Sequence, residues 1–79
     1  MIEVNFKSRM ETIPLGSRIR LNCDKIDYSG VLDEVAEDGV VVSWFVMEWQ
    51  TVNGKQQEIM LRSAVFVPYD RVVDYTVTR

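Results

Sequence analysis

A chain of 79 residues holds one domain and one modest core, because a polypeptide of this size buries only about 60–65% of its unfolded surface. It carries a net charge of −3, no histidine and a single cysteine, Cys23. Without histidine the usual general base at neutral pH and most zinc sites are excluded, one thiol forms no internal disulfide, and an acidic balance gives no overall basic footprint for nucleic acid.

The first residues, Met1 to Lys7, lack the basic start and apolar run of a signal peptide. The longest apolar stretch, Gly39 to Met47, is too short to cross a bilayer as a helix. The expectation is a soluble, cytoplasmic protein with no membrane partner. Residues 2–6 alternate apolar and polar (Ile2, Val4, Phe6), as a short half-buried strand does. Ser8-Arg9-Met10-Glu11 matches a capping box, which would instead start one helical turn ahead of Pro14 and Gly16. The sequence allows either for this N-terminal segment of residues 1–14.

From Ser17 onward the pattern is strand throughout. Ile19, Leu21 and Cys23 share one face, and Arg18, Arg20 and Asn22 share the other, which makes Cys23 a buried structural thiol. Asp24 to Asp27 is a polar turn, and a second strand runs from Tyr28 to Val35 with Gly30 inside it. A glycine within a strand marks a bend or a close approach of backbones. Asp38-Gly39 is a tight-turn signal. A third, long strand starts at Val40, apolar on both faces as far as Met47. Asn53-Gly54 favours a type I′ hairpin. The fourth strand, Gln57 to Val67, is again apolar on both faces toward its end, and Val72 to Val77 is the fifth. Two-sided apolarity in a domain this small calls for cover, from another subunit or from residues 1–14.

Charge is uneven. Between Asp24 and Asp38 lie Asp24, Asp27, Asp33, Glu34, Glu37 and Asp38 against Lys25 alone, a face that repels phosphate. The adjacent acids read as a solvated face. No nucleophile–base pair, phosphate-cradling glycine loop or metal-ligand cluster is present, so the expectation is a protein that is not an enzyme and needs no cofactor or metal. Trp44 and Phe45 continue an unbroken strand and read as core or interface. Trp49, between Glu48 and Gln50, is the better candidate for an exposed, partner-binding aromatic, with packing against the N-terminal segment as the alternative.

Two segments carry a family resemblance. Tyr28-x-Gly30-x-Leu32, followed by an acidic turn and an apolar strand, resembles the first motif of the Sm/Hfq-like (LSm) proteins. Val65-Phe66-Val67-Pro68-Tyr69-Asp70-Arg71-Val72 resembles the second, whose usual form is aliphatic-Arg-Gly-Asn/Asp before an aliphatic strand. The resemblance covers residues 15–77 of a single domain. It implies an all-β fold, a small, strongly bent, five-stranded SH3-like barrel, and a homo-oligomeric ring of about five to seven subunits joined through strands four and five. It also implies single-stranded RNA bound at the pore by the loops after strands two and four.

Those loops contain Asp38, Gly39, Pro68, Tyr69, Asp70 and Arg71, the candidate RNA-binding residues. In a gapless reading the family's loop aspartate falls at Ala36 and its base-contacting asparagine at Val40, neither of which has a hydrogen-bonding side chain. Val67 and Asp70 keep their motif positions, but Pro68-Tyr69 replaces Arg-Gly. The usual uridine-selective pocket is therefore not expected. Tyr69 offers a ring for base stacking or for packing against a neighbouring subunit, and Arg71 a contact to phosphate. The two functional expectations are a ring that binds single-stranded RNA without that pocket, and a protein–protein adaptor or structural ring indifferent to RNA.

Overall fold

The computed structural model describes residues 6–78. A short helix, α1 (Phe6–Glu11), precedes β1 (Arg18–Cys23), β2 (Tyr28–Val35), β3 (Gly39–Val52) and β4 (Lys55–Pro68). One 3₁₀ turn at Tyr69–Arg71 then leads into β5 (Val72–Thr78). The strands form one antiparallel sheet in the order β4-β3-β2-β1-β5. The sheet is not closed, because β4 and β5 are its two edges and share no ladder.

Alternation places the core residues. Ile19 and Leu21 of β1 point inward, while Arg18 and Arg20 point to solvent. Leu32, Val40, Val42, Val67 and Val72 join them, so every strand contributes to one buried cluster. A single sheet with residues of both edge strands in one core has curled around that core. Met10 plugs it from α1 and is only 1% exposed, and the ring of Phe6 meets Tyr75 edge-on with centroids 6.3 Å apart. The helix begins two residues before Ser8, so Ser8 lies within it rather than capping it. Of the alternative strand over residues 2–6, only Phe6 lies within the described residues, and it opens the helix.

Two irregularities adjust β2. Its first half, Tyr28 to Val31, pairs with β1, whereas Val31 to Val35 pairs with β3. The register with β3 shifts between Leu32 and Glu34, leaving Asp33 as the extra residue of a bulge. The bulge explains why Leu32 and Val35, three apart, both face the inner row: their partners are Val42 and Val40. At Gly30 the strands approach so closely that a methyl group would overlap the carbonyl oxygen of Ser43 and crowd a methyl of Val42 at 2.9 Å.

β3 and β4 pair along their whole length, from Gly39 opposite Pro68 to Val52 opposite Lys55. Asn53 and Gly54 turn the hairpin with φ of 52° and 77°, the two positive values that a type I′ turn requires. β2 accompanies β3 only as far as Ser43. Beyond that row the hairpin continues as a two-stranded arm, which gives the molecule its long axis of 61 Å against 26 and 22 Å.

Replacing Gly30 with alanine is expected to destabilise the fold by about 1–3 kcal/mol, the usual cost of forcing extra volume into a packed site. Ser29→Ala, at the exposed neighbouring position, is expected to stay within about 0.5 kcal/mol of the unchanged chain. Urea unfolding of the three proteins checks this, and equal midpoints for Gly30→Ala and Ser29→Ala would contradict the close strand approach.

Candidate functional site

Two regions outside the core concentrate chemistry: the loop cluster picked out from the sequence, and the arm.

The loop cluster is a real juxtaposition. Gly39 lies opposite Pro68 in the ladder, and the Tyr69 amide donates to the Asp38 carbonyl at 3.1 Å. The Ala36 amide donates to the Gly39 carbonyl at 2.8 Å, closing the turn between β2 and β3. At Gly39 an added Cβ would sit 2.5 Å from the Val67 carbonyl oxygen and 2.6 Å from the Phe66 ring, so this glycine serves strand packing. Asp38, Gly39, Pro68 and Tyr69 thus meet directly. Asp70 and Arg71 continue the 3₁₀ turn toward the β1–β2 loop, where the Asp24 amide donates to the Arg71 carbonyl at 3.3 Å.

Tyr69 is committed to structure. Its hydroxyl donates to the Ala36 carbonyl at 2.7 Å, and its half-buried ring packs against the core cluster. Burial raises the phenol above its ordinary value, with neighbouring carboxylates adding to the rise and Lys7 opposing it. Lys7 itself donates to Glu37 at 2.6 Å and lies 3.6 Å from Glu11. The hydrogen bond and charge of Glu37 raise its pKa. The exposed side chains left at the cluster are Asp38, Asp70 and Arg71, two anions to one cation. Such a surface repels a phosphate backbone more than it attracts one. Cys23 is half-buried, and burial, then Asp24 and Asp27, push its thiol up, away from reactivity at neutral pH.

The arm carries the larger anomaly. From the register, Phe45, Met47, Trp49 and Thr51 share the outer face with Arg62, Met60, Glu58 and Gln56. Trp44 and Val46 share the inner face with Ser63 and Leu61. Phe45 is 63% exposed, Trp49 69% and Met60 60%. A contiguous apolar surface of this kind marks a site of association, and a two-stranded ribbon alone is at best marginally stable in water. The described part of the N-terminal segment does not cover it: Phe6 and Met10 are spent on Tyr75 and the core. The sequence flagged Trp49 and the two-sided apolarity, but assigned Phe45 to core or interface without showing that it stands on a projection. The missed signal was length, since the eight residues of β2 cannot accompany fourteen of β3.

At the base of the arm the outer face opens into a groove of about 460 Å³, lined by Arg18, Arg20, Ser29, Gly30 and Phe45 among others. Arg20 is held by Asp27 at 3.1 Å, and Arg62 pairs with Asp33, the bulged residue of β2. Among the described residues, no three acidic or cysteine side chains converge as a cation site requires, and no helix is long and apolar enough to cross a membrane. Compared with protein-family models, curated proteins and solved structures, the chain finds no match.

Because burial raises the Tyr69 phenol, its neutral form contributes stability fully below pH 10, and this is lost as the pH rises through the higher folded value. Tyr69→Phe is expected to cost about 1 kcal/mol at neutral pH, the net worth of one hydrogen bond. It should also flatten the fall in stability above pH 10. Urea midpoints measured from pH 7 to 11 check both, and an unchanged neutral midpoint would mean the bond to Ala36 is not formed.

Proposed function

We propose that this chain is a divergent Sm-like subunit that works as a homo-oligomeric ring. In this reading the curled sheet is a small bent barrel left open between β4 and β5, and the neighbouring subunit fills the opening. The observation that carries it is the strand order, which leaves β4 and β5 as the two free edges. Both edges expose apolar side chains, Phe66 on β4 and Val73 on β5. Unpaired edges with apolar faces are templates for pairing across subunits. The seven residues of β5 suit the core-proximal half of the fourteen in β4, so ring closure would leave the arm free.

The ring brings the loops of residues 36–39 and 68–71 from every subunit around one mouth. Single-stranded RNA is the ligand class that the family resemblance attaches to that mouth, with Arg71 as the cation available to a phosphate. The second reading is a protein–protein adaptor, and the loop chemistry favours it. Tyr69 is turned into the fold by its bond to Ala36, Lys7 is taken up by Glu37, and Asp38 and Asp70 outnumber Arg71. A pore of this composition suits a basic protein segment better than a polyanion.

Native mass spectrometry is expected to give an assembly of about five to seven copies of the 9.2 kDa chain, or twice that number. A strict monomer at micromolar concentration would defeat the ring. Fluorescence anisotropy with single-stranded RNA at low salt separates the two ligand classes. Binding that weakens several-fold in Arg71→Ala and falls with added salt supports RNA, whereas an intact ring indifferent to RNA leaves the adaptor.

A further inference from the structure

The outer face of the arm is self-complementary, and we infer that it docks on the same face of a second copy of this chain. The centre of the face is three rows: Phe45 opposite Arg62, Met47 opposite Met60, and Trp49 opposite Glu58. The middle row is purely apolar. The flanking rows each pair an aromatic ring on β3 with a charge on β4, and the two charges are opposite in sign.

Consider a two-fold axis running across the ribbon at the middle row, from β3 to β4. It lays two arms face to face and antiparallel, with β3 over β3 and β4 over β4. Met47 and Met60 then meet their own copies. Phe45 of each chain meets Trp49 of the other, an aromatic pair, and Arg62 of each meets Glu58 of the other, an ion pair. The two methionine contacts lie on the axis, and the aromatic and ionic contacts each occur twice, as an isologous interface demands. Arg62 already holds Asp33, but its guanidinium has five N–H donors in a fork and is half exposed, so a second carboxylate can share it.

The competing parallel arrangement fails on two counts. It sets Trp49 over Glu58, placing a carboxylate against the negative face of a ring. It also sets Arg62 over Phe45, so neither charge meets an opposite one and both ion pairs are lost. In the antiparallel arrangement each arm tip instead lies over the partner's outer face near the groove at Arg18, Arg20 and Phe45, where there is room. The arm lies beyond the reach of β5, so this contact is separate from ring closure and joins two rings, or two bodies where no ring forms.

The charge pairing makes the test specific. Glu58→Arg sets arginine against Arg62, and Arg62→Glu sets glutamate against Glu58, so each variant alone is expected to halve the native mass of the assembly. An equimolar mixture restores both ion pairs, and the doubled mass should return, whereas Met47→Asp should halve it with no rescue by either variant. Asp33→Asn, which removes only the in-chain partner of Arg62, should keep the doubled mass. The proposal is overturned if either charge variant keeps the unchanged protein's mass, if mixing fails to restore it, or if the unchanged protein carries one ring with its arms free or held by another protein. Failure of the ring reads differently: a species of two chains that Met47→Asp splits into monomers keeps the arm contact without ring closure.

Discussion

The structure turns on a mismatch of lengths. β3 and β4 run for fourteen residues each, while β2, the strand that should support them, runs for eight and shares its first half with β1. A hairpin needs a third strand or a packed face to be stable in water, and among the described residues no third strand pairs with this one past Ser43. The molecule is consequently two objects in series: a curled sheet around a core, and a ribbon whose outer apolar face is left uncovered by the rest of the described residues.

The join between them is reinforced. The bulge at Asp33 lets Leu32 and Val35 both reach the inner row, and it turns the aspartate toward Arg62 on the first rows of the arm. Gly30 allows β2 to cross close under Ser43, the last residue of β3 with three-strand support. The surface ion pair is worth no more than about 1 kcal/mol. Its value is geometric, because it ties the base of the arm to β2 at the point where the sheet narrows from three strands to two.

How much of this was legible depends on what each feature rests on. Strand positions rest on local alternation and turn chemistry, so Ile19, Leu21, Asn53 and Gly54 declared them directly. The ladder between β3 and β4 sets the loops of Asp38–Gly39 and Pro68–Arg71 side by side, a neighbourhood that only the family resemblance suggested in the sequence. The helix at Phe6–Glu11 was harder, because six residues carry little periodicity and Phe6 also fits the alternating strand pattern of residues 2–6. The bulge at Asp33 was hidden, since Val31-Leu32-Asp33-Glu34-Val35 scans as an imperfect strand until its partners are known. The fate of Tyr69 was not readable at all. Whether its ring stacks on a ligand or packs inward depends on the Ala36 carbonyl, thirty-three residues away. The open sheet carries the five strands of the reading but not the closure of a barrel.

Energetics then decides where association free energy resides. The loop cluster offers exposed charges and surface ion pairs, each worth about 0–1 kcal/mol and screened by salt. Burying a large apolar side chain is worth about 1.5–3 kcal/mol, and the arm presents Phe45, Met47, Trp49 and Met60 on one face. Even after the entropy of ordering two chains is subtracted, the arm outweighs the loops as a source of affinity. The positions where the resembled family places its recognition residues are used here for folding: Gly39 for strand approach, Tyr69 for a hydrogen bond across the turn, Val40 for the core. The loop residues are thus spent on the fold, while the large exposed aromatic side chains Phe45 and Trp49 stand on the projecting ribbon.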